Sequence, residues 1–195
     1  MINALYEPFP EEIRADGVSY PIETDFREWF RFGDMLADRE LDNEDKIYLM
    51  TEWLYEAPEE ITPELVKAVF GFYRADGLKP DPTERSDHED PEENVQSKRP
   101  PVFDWKHDAA FILGDFRRFY GIDLISVEYM HWWEFRCLFN ALPDDSQCRI
   151  RIDYRSKDLS QIRNESERKR IARIQRQIAL PFEMDDDDMA AIFEG

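Results

Sequence analysis

The run from Tyr129 to Leu142, Tyr-Met-His-Trp-Trp-Glu-Phe-Arg-Cys-Leu-Phe-Asn-Ala-Leu, is apolar around most of a helix. At about 100° per residue, its apolar side chains leave only a narrow polar strip at Arg136 and Asn140. A surface helix shows a single apolar stripe. This segment therefore predicts either a central core helix or one that meets core on one side and a partner on the other. The tandem Trp132-Trp133 sharpens the choice, because adjacent helical side chains diverge and one neighbour cannot bury both. Either two neighbours within the chain cover them, or one neighbour and a partner do. With Ser126 as its expected cap, this is the expected central helix of the C-terminal half, packed against a stripe of Trp105, Ala109, Ile112, Phe116 and Phe119.

The rest of the chain supplies enough apolar surface for such a core. Its 195 residues are 42% apolar and 14% aromatic, sufficient for one ordinary domain or two small ones. Asp16-Gly17 between Ile13-Arg14-Ala15 and Val18-Ser19-Tyr20-Pro21-Ile22 predicts a β-hairpin, since Gly accepts the positive φ of a tight turn. Three helices should follow. Thr24 is the expected cap of the first, with Phe26, Trp29, Phe30, Gly33 and Ala37 buried. The second begins near Glu44 and turns Ile47, Met50 and Leu54 inward. The third opens on Thr62-Pro63-Glu64 and stops at Gly77.

Residues 78–103 are almost devoid of apolar side chains and read as an acidic, mobile linker. Helical patterning resumes at Asp104 and stops at Gly121. After the Trp-Trp helix come a helix carrying Ile150, Ile152 and Tyr154 and a basic helix from about Asp158 to Leu180, with a seam at Ile171, Ile174 and Ile178. Residues 181–195 read as an acidic, disordered tail. The expected architecture is mainly α, a bundle of about six to seven helices with a short N-terminal β-hairpin. Residues 1–77 form the hairpin and three helices, and 104–180 form a C-terminal helical part packed with them.

Charge limits the functions available. The formal net charge is −19, which argues against nucleic acid and anionic membranes as partners, because phosphate contacts need Lys and Arg. It favours basic or apolar protein partners. The charge is also uneven. Residues 1–77 carry 19 acidic and 7 basic side chains, whereas residues 145–180 carry 5 acidic and 10 basic. The basic cluster Arg168-Lys169-Arg170 has no interleaved aromatic, so docking onto acidic protein surface is the expected use. No stretch approaches the roughly 20 apolar residues that span a bilayer, and the N-terminus lacks the pattern of a signal peptide. The expected location is the cytoplasm.

Catalytic and metal-binding patterns are sparse. His131 lies three residues from both Glu128 and Glu134, so on a helix the three would approach one another. A His-carboxylate cluster can bind metal or move a proton, but it can equally hydrogen-bond within the core, and the latter is expected here. His88 falls in the linker, and Cys137 and Cys148 lack metal-ligand spacing. Phosphate-loop, serine-hydrolase and zinc-protease motifs are missing. The adjacent acids Glu11-Glu12, Glu59-Glu60 and Glu92-Glu93 read as solvated surface. No cofactor and no enzymatic activity are expected.

Four stretches in order, Tyr20-Pro-Ile-Glu-Thr-Asp-Phe-Arg-Glu-Trp29, Tyr120-Gly-Ile-Asp-Leu124, His131-Trp-Trp-Glu-Phe135 and Tyr154-Arg-Ser-Lys-Asp-Leu159, resemble the gene-product-fifteen family of tailed-bacteriophage proteins. The resemblance spans roughly residues 1–75 and 104–178. Members are encoded between tail tube and tape measure. The resemblance implies a tail assembly chaperone that binds the tape measure protein, keeps it soluble, recruits tail tube protein and is absent from the mature virion. It carries over no catalytic residues. Trp132, Trp133, Arg136, Arg168, Lys169 and Arg170 are the candidate partner-binding residues, with self-association through the basic helix a further expectation. A structural tail or head-tail completion protein and an acidic DNA-mimic inhibitor are the alternatives.

Overall fold

A computed structural model of the chain describes residues 2–78 and 102–181. The expected linker, apart from its ends, and the expected tail beyond Pro181 lie outside the described residues. Among the described residues there are seven α-helices and one two-stranded antiparallel hairpin, so the mainly α class with an N-terminal hairpin holds. Two compact units are present. The first joins residues up to 78 with 125–141, and the second joins 102–124 with 142–181.

In the first unit, strands β1 (Glu12–Ala15) and β2 (Val18–Pro21) pair with Ala15 opposite Val18. Asp16 and Gly17 both take positive φ, 51° and 80°, as the two-residue turn demands. Helix α1 (Phe26–Ala37) follows, capped by Asp25, which accepts from the Arg27 amide. The expected cap, Thr24, is occupied otherwise: its carbonyl accepts from the Trp132 amide at 2.7 Å. The buried face of α1 is Phe26, Trp29 and Phe32, and Ala37 is exposed. Helix α2 (Asn43–Leu49) runs into a 3-10 turn over Met50–Trp53 and buries none of its own residues. Helix α3 (Pro63–Tyr73) opens as expected, with the Thr62 side chain accepting from the Leu65 amide and Pro63 in its first turn. It ends before Gly77, where Ala75 takes the left-handed conformation at φ 53°.

The Trp-Trp helix, α5 (Trp132–Asn140), belongs to this first unit. Its position is set by an extended segment after the hairpin. On one side of that segment the Glu23 amide donates to the Trp53 carbonyl at 2.8 Å, and the Tyr55 amide donates to Pro21. On the other, Phe26 donates to Met130 and Trp132 donates to Thr24, forming the bridge Asp25–His131. This pairing lays α5 beside α1. The Trp132 indole stacks on Tyr73 at 5.8 Å and on Phe135 at 5.7 Å, and Phe135 stacks on Phe26 at 5.3 Å. These rings come from α1, α3 and α5 itself.

In the second unit, helix α4 (Ala109–Asp115) continues as a π-helical turn over Phe116–Tyr120 and stops at Gly121, whose φ of 68° supplies the left-handed cap. Helix α6 (Gln147–Ser156) is capped by Ser146. Helix α7 (Glu165–Gln177) starts later than expected and is capped by Asn164. Asp158, the expected start, accepts from the Ser160 amide and opens only a short 3-10 turn. Of the expected seam, Ile171 is buried, while Ile174 and Ile178 are half-buried.

Candidate functional site

His131 does not sit within a helix. It caps α5, and its Nδ1 accepts from the Trp133 amide at 2.9 Å. An accepting Nδ1 leaves the proton on Nε2, which donates to the Pro10 carbonyl at 3.0 Å. The expected His131–Glu128–Glu134 cluster is therefore corrected: Glu128 and Glu134 are exposed, and both ring nitrogens are spent on backbone. Burial holds the imidazole below its ordinary value of 6.5, against opposing effects of the Pro10 carbonyl and Glu11. Since the folded state binds this proton less readily than the unfolded chain, the cap's full stability is present above about pH 6.5 and is lost as pH falls towards the folded value. Inside that window the expected slope is about 1.4 kcal/mol per pH unit. His131→Asn, which keeps a capping oxygen and cannot titrate, should flatten it in denaturant melts taken between pH 7 and 5.

Both tryptophans are core side chains. Trp132 is fully buried and Trp133 is 5% exposed. Their indole nitrogens donate to consecutive carbonyls at the end of α3, Trp132 to Tyr73 at 2.8 Å and Trp133 to Phe72 at 2.9 Å. The divergence of adjacent side chains is met by one helix end and its flanking rings, with Phe9 and His131 beside Trp133. Trp132 and Trp133 are thus covered by side chains of the first unit. Arg136 is half-buried, donating to the Tyr73 carbonyl at 3.4 Å with its guanidinium over the Trp132 ring.

A hollow of about 230 Å³ lies against Trp133, lined by Ile13, Phe72 and Gly77 together with Glu12, Arg14 and Asp76. Its charges are paired, Arg14 with Glu12 and Arg74 with Asp76. A Cβ on Gly77 would stand 2.6 Å from the Trp133 ring. Gly77→Ala should therefore displace the indole and cost about 1–3 kcal/mol in a chemical melt. An unchanged midpoint would show that the ring is loosely held.

Arg168, Lys169 and Arg170 are all exposed on α7. Consecutive residues diverge around a helix, so the three do not form one patch. The face opposite buried Ile171 carries Lys169, Arg173 and Arg176, with Arg170 on its flank beside Arg173.

The most tightly built polar groups are ones the sequence reading passed over. Asp108 and Arg155, 1% and 7% exposed at the side chain, pair through two bonds of 2.6 and 2.9 Å. Arg155 also donates to the carbonyls of Ile178 and Val102. Asp115, also buried, accepts from the amides of Gln147 and Cys148 at the start of α6. An anion there meets the positive end of the helix dipole. Cys148 lies beside it, and burial together with the Asp115 carboxylate pushes its thiol well up. Burial and Glu134 raise the Cys137 thiol too. Both are protonated, weakly nucleophilic thiols at neutral pH. Among the described residues, no group of three or more His, Cys, Asp or Glu is placed to hold a metal ion. No helix among them is long and apolar enough to cross a membrane.

What the chain leaves open is a surface. The large apolar side chains exposed among the described residues, including Tyr48, Tyr55, Ile125 and Tyr129, all belong to the first unit. Tyr55 and Tyr129 flank the extended segment: the Tyr55 hydroxyl donates to Glu23 at 3.1 Å, and the Tyr129 hydroxyl bonds the Thr24 hydroxyl at 2.9 Å.

The buried polar side chains described above are spent on the fold of their own unit. The chain belongs to the family described as bacteriophage Gp15 protein, whose model matches residues 5–180. This makes it a bacteriophage protein of the structural and assembly kind. No curated protein and no solved structure matches it. The stretches that carry the resemblance fall at joints of the fold. Tyr20–Trp29 and His131–Phe135 are zipped together by backbone bonds, Gly121 closes the π-helical turn, and Arg155 holds Asp108.

Proposed function

We propose that this protein is a non-enzymatic tail assembly chaperone that binds the tape measure protein and keeps it soluble while the tail tube is built around it. The observation that carries this reading is membership of the phage family over residues 5–180. The surface of the first unit supports it. A long helical chain awaiting its tube exposes apolar seams, and those seams need apolar contacts on a carrier that stays soluble. Tyr55, Ile125 and Tyr129 offer such contacts on a unit rich in carboxylates. The excess negative charge keeps a loaded complex dispersed. A carrier of this kind works in the host cytoplasm and leaves before the virion matures, and tail tube protein is the second partner it would recruit.

Co-expression with the tape measure protein of the same phage tests the proposal. The tape measure should move into the soluble fraction and co-purify with this chain. A tape measure that stays equally soluble and unbound without it removes the idea. A structural tail or head-tail completion protein is the rival, and mass spectrometry of purified virions separates the two, since a completion protein is retained in fixed copy number. A DNA mimic fits less well, because the exposed basic face of α7 interrupts any uniform acidic surface.

A further inference from the structure

Two surfaces of opposite charge are left over once the fold is satisfied. On the outward face of α7, Arg170 and Arg173 are exposed and make no ion pair among the described residues, whereas the neighbouring Lys169 is paired with Glu165 at 2.6 Å. The helix is held from its other side, by buried Ile171 and by Gln175 donating to the carbonyls of Tyr154 and Lys157. In the first unit, α2 buries no residue of its own. Glu44, Ile47 and Tyr48 stand three and four residues apart and so share one face of it. All three are exposed, and Tyr48 is 66% exposed. Glu44 and Asp45 make no ion pair among the described residues. A helix whose other side half-buries Lys46 and Leu49, yet presents a tyrosine and an isoleucine between carboxylates, is a surface in want of a cover.

We propose that the basic face of α7 from one copy docks onto the acidic and apolar face of α2 from a second copy. Arg170 and Arg173 would meet Glu44 and Asp45, and the aliphatic stems of the arginines would lie along Tyr48 and Ile47. Every copy carries both surfaces, and they differ from each other, so the contact is heterologous and adds copies head to tail. The net charge of −19 opposes association at long range. Screening within about 8 Å at physiological salt leaves the local pairing of unlike charges to decide. The contact is small and partly exposed, so it is weak, reversible and sensitive to salt. Repeated along a long partner it would add avidity. It needs no phage partner, so its failure would leave the chaperone proposal standing.

Sedimentation velocity of the full chain, from micromolar to submillimolar concentration, tests it. At about 50 mM salt the weight-average mass should rise from 23.4 kDa towards twice that value or more. At about 500 mM salt it should return to the monomer. Arg170→Glu with Arg173→Glu should abolish the rise, and so should Glu44→Lys with Asp45→Lys. All four positions are solvent-facing, so the fold should be kept. Lysines in the first turn of α2 oppose its dipole, and Glu44→Gln with Asp45→Asn, which remove the charge alone, should weaken the association as well. Mixing the two charge-reversed double variants should restore association, because each then offers what the other lacks. A wild-type chain that stays monomeric throughout at low salt overturns the proposal. So does association lost on changing α7 but unaffected by changing α2, which would assign the basic face to another acidic segment, such as Asp185–Asp188 of the chain itself.

Discussion

Arg155→Met, with Asp108 left in place, is expected to destabilise the second unit by about 3–5 kcal/mol, because it strands a buried carboxylate without its counter-charge. Asp108→Leu alone should cost a similar amount by stranding the guanidinium. The pair is tied to more than itself, since Arg155 also satisfies the carbonyls of Val102 and Ile178 at either end of the unit. Replacing both residues together should recover much of the loss, as buried ion pairs are often matched by well-packed apolar groups. The recovery should stay incomplete, because two carbonyls would lose their donor. A guanidinium melt of the whole chain followed by far-ultraviolet circular dichroism reports the loss. Single variants as stable as the parent would mean that water reaches the pair.

The second large effect is expected at the tandem tryptophans. Trp132→Ala removes a fully buried indole stacked on Tyr73 and Phe135 and should cost about 3–5 kcal/mol. Trp133→Ala should fall in the same range or slightly below, since its ring borders the hollow beside Gly77. In each case the indole's bond to an α3 carbonyl goes as well, freeing the Tyr73 or Phe72 oxygen. Loss of partner binding with stability intact is the outcome expected of an interface tryptophan, and it would contradict the burial of these two.

Local chemistry made several elements readable from the chain alone. Asp16-Gly17 and Gly121 were legible because positive φ leaves few residues to choose from. Thr62-Pro63-Glu64 was legible because cap, fixed φ and dipole agree within three residues. The misplaced helix starts share a physical cause. Thr24, Ser126 and Asp158 are good caps by type, yet Asp25, His131 and Asn164 hold the positions. Pairing of the segment around Asp25 with the segment around His131, across more than a hundred residues, decides two of them, and no local pattern records it. The same pairing carries α5 into the first unit.

Asp108 and Asp115 were hidden by composition, because in a chain with 44 acidic residues two more read as solvated surface. A signal was there. Asp108, Ile112, Asp115 and Phe116 share one helical face, and acids within an apolar stripe need buried partners. Arg155 and the amides of α6 are those partners. The phage family, by contrast, entered through the order of four short stretches, and no residue property leads from them to a tape measure.

Hydrogen exchange on the complex co-purified with the tape measure protein tests the central claim most directly. New protection is expected in the first unit, around Tyr55 and across residues 125–129, while the amides of α5 beneath are already slow in the free chain. Unchanged exchange at those two segments, with new protection confined to α5 or to the second unit, would contradict the account.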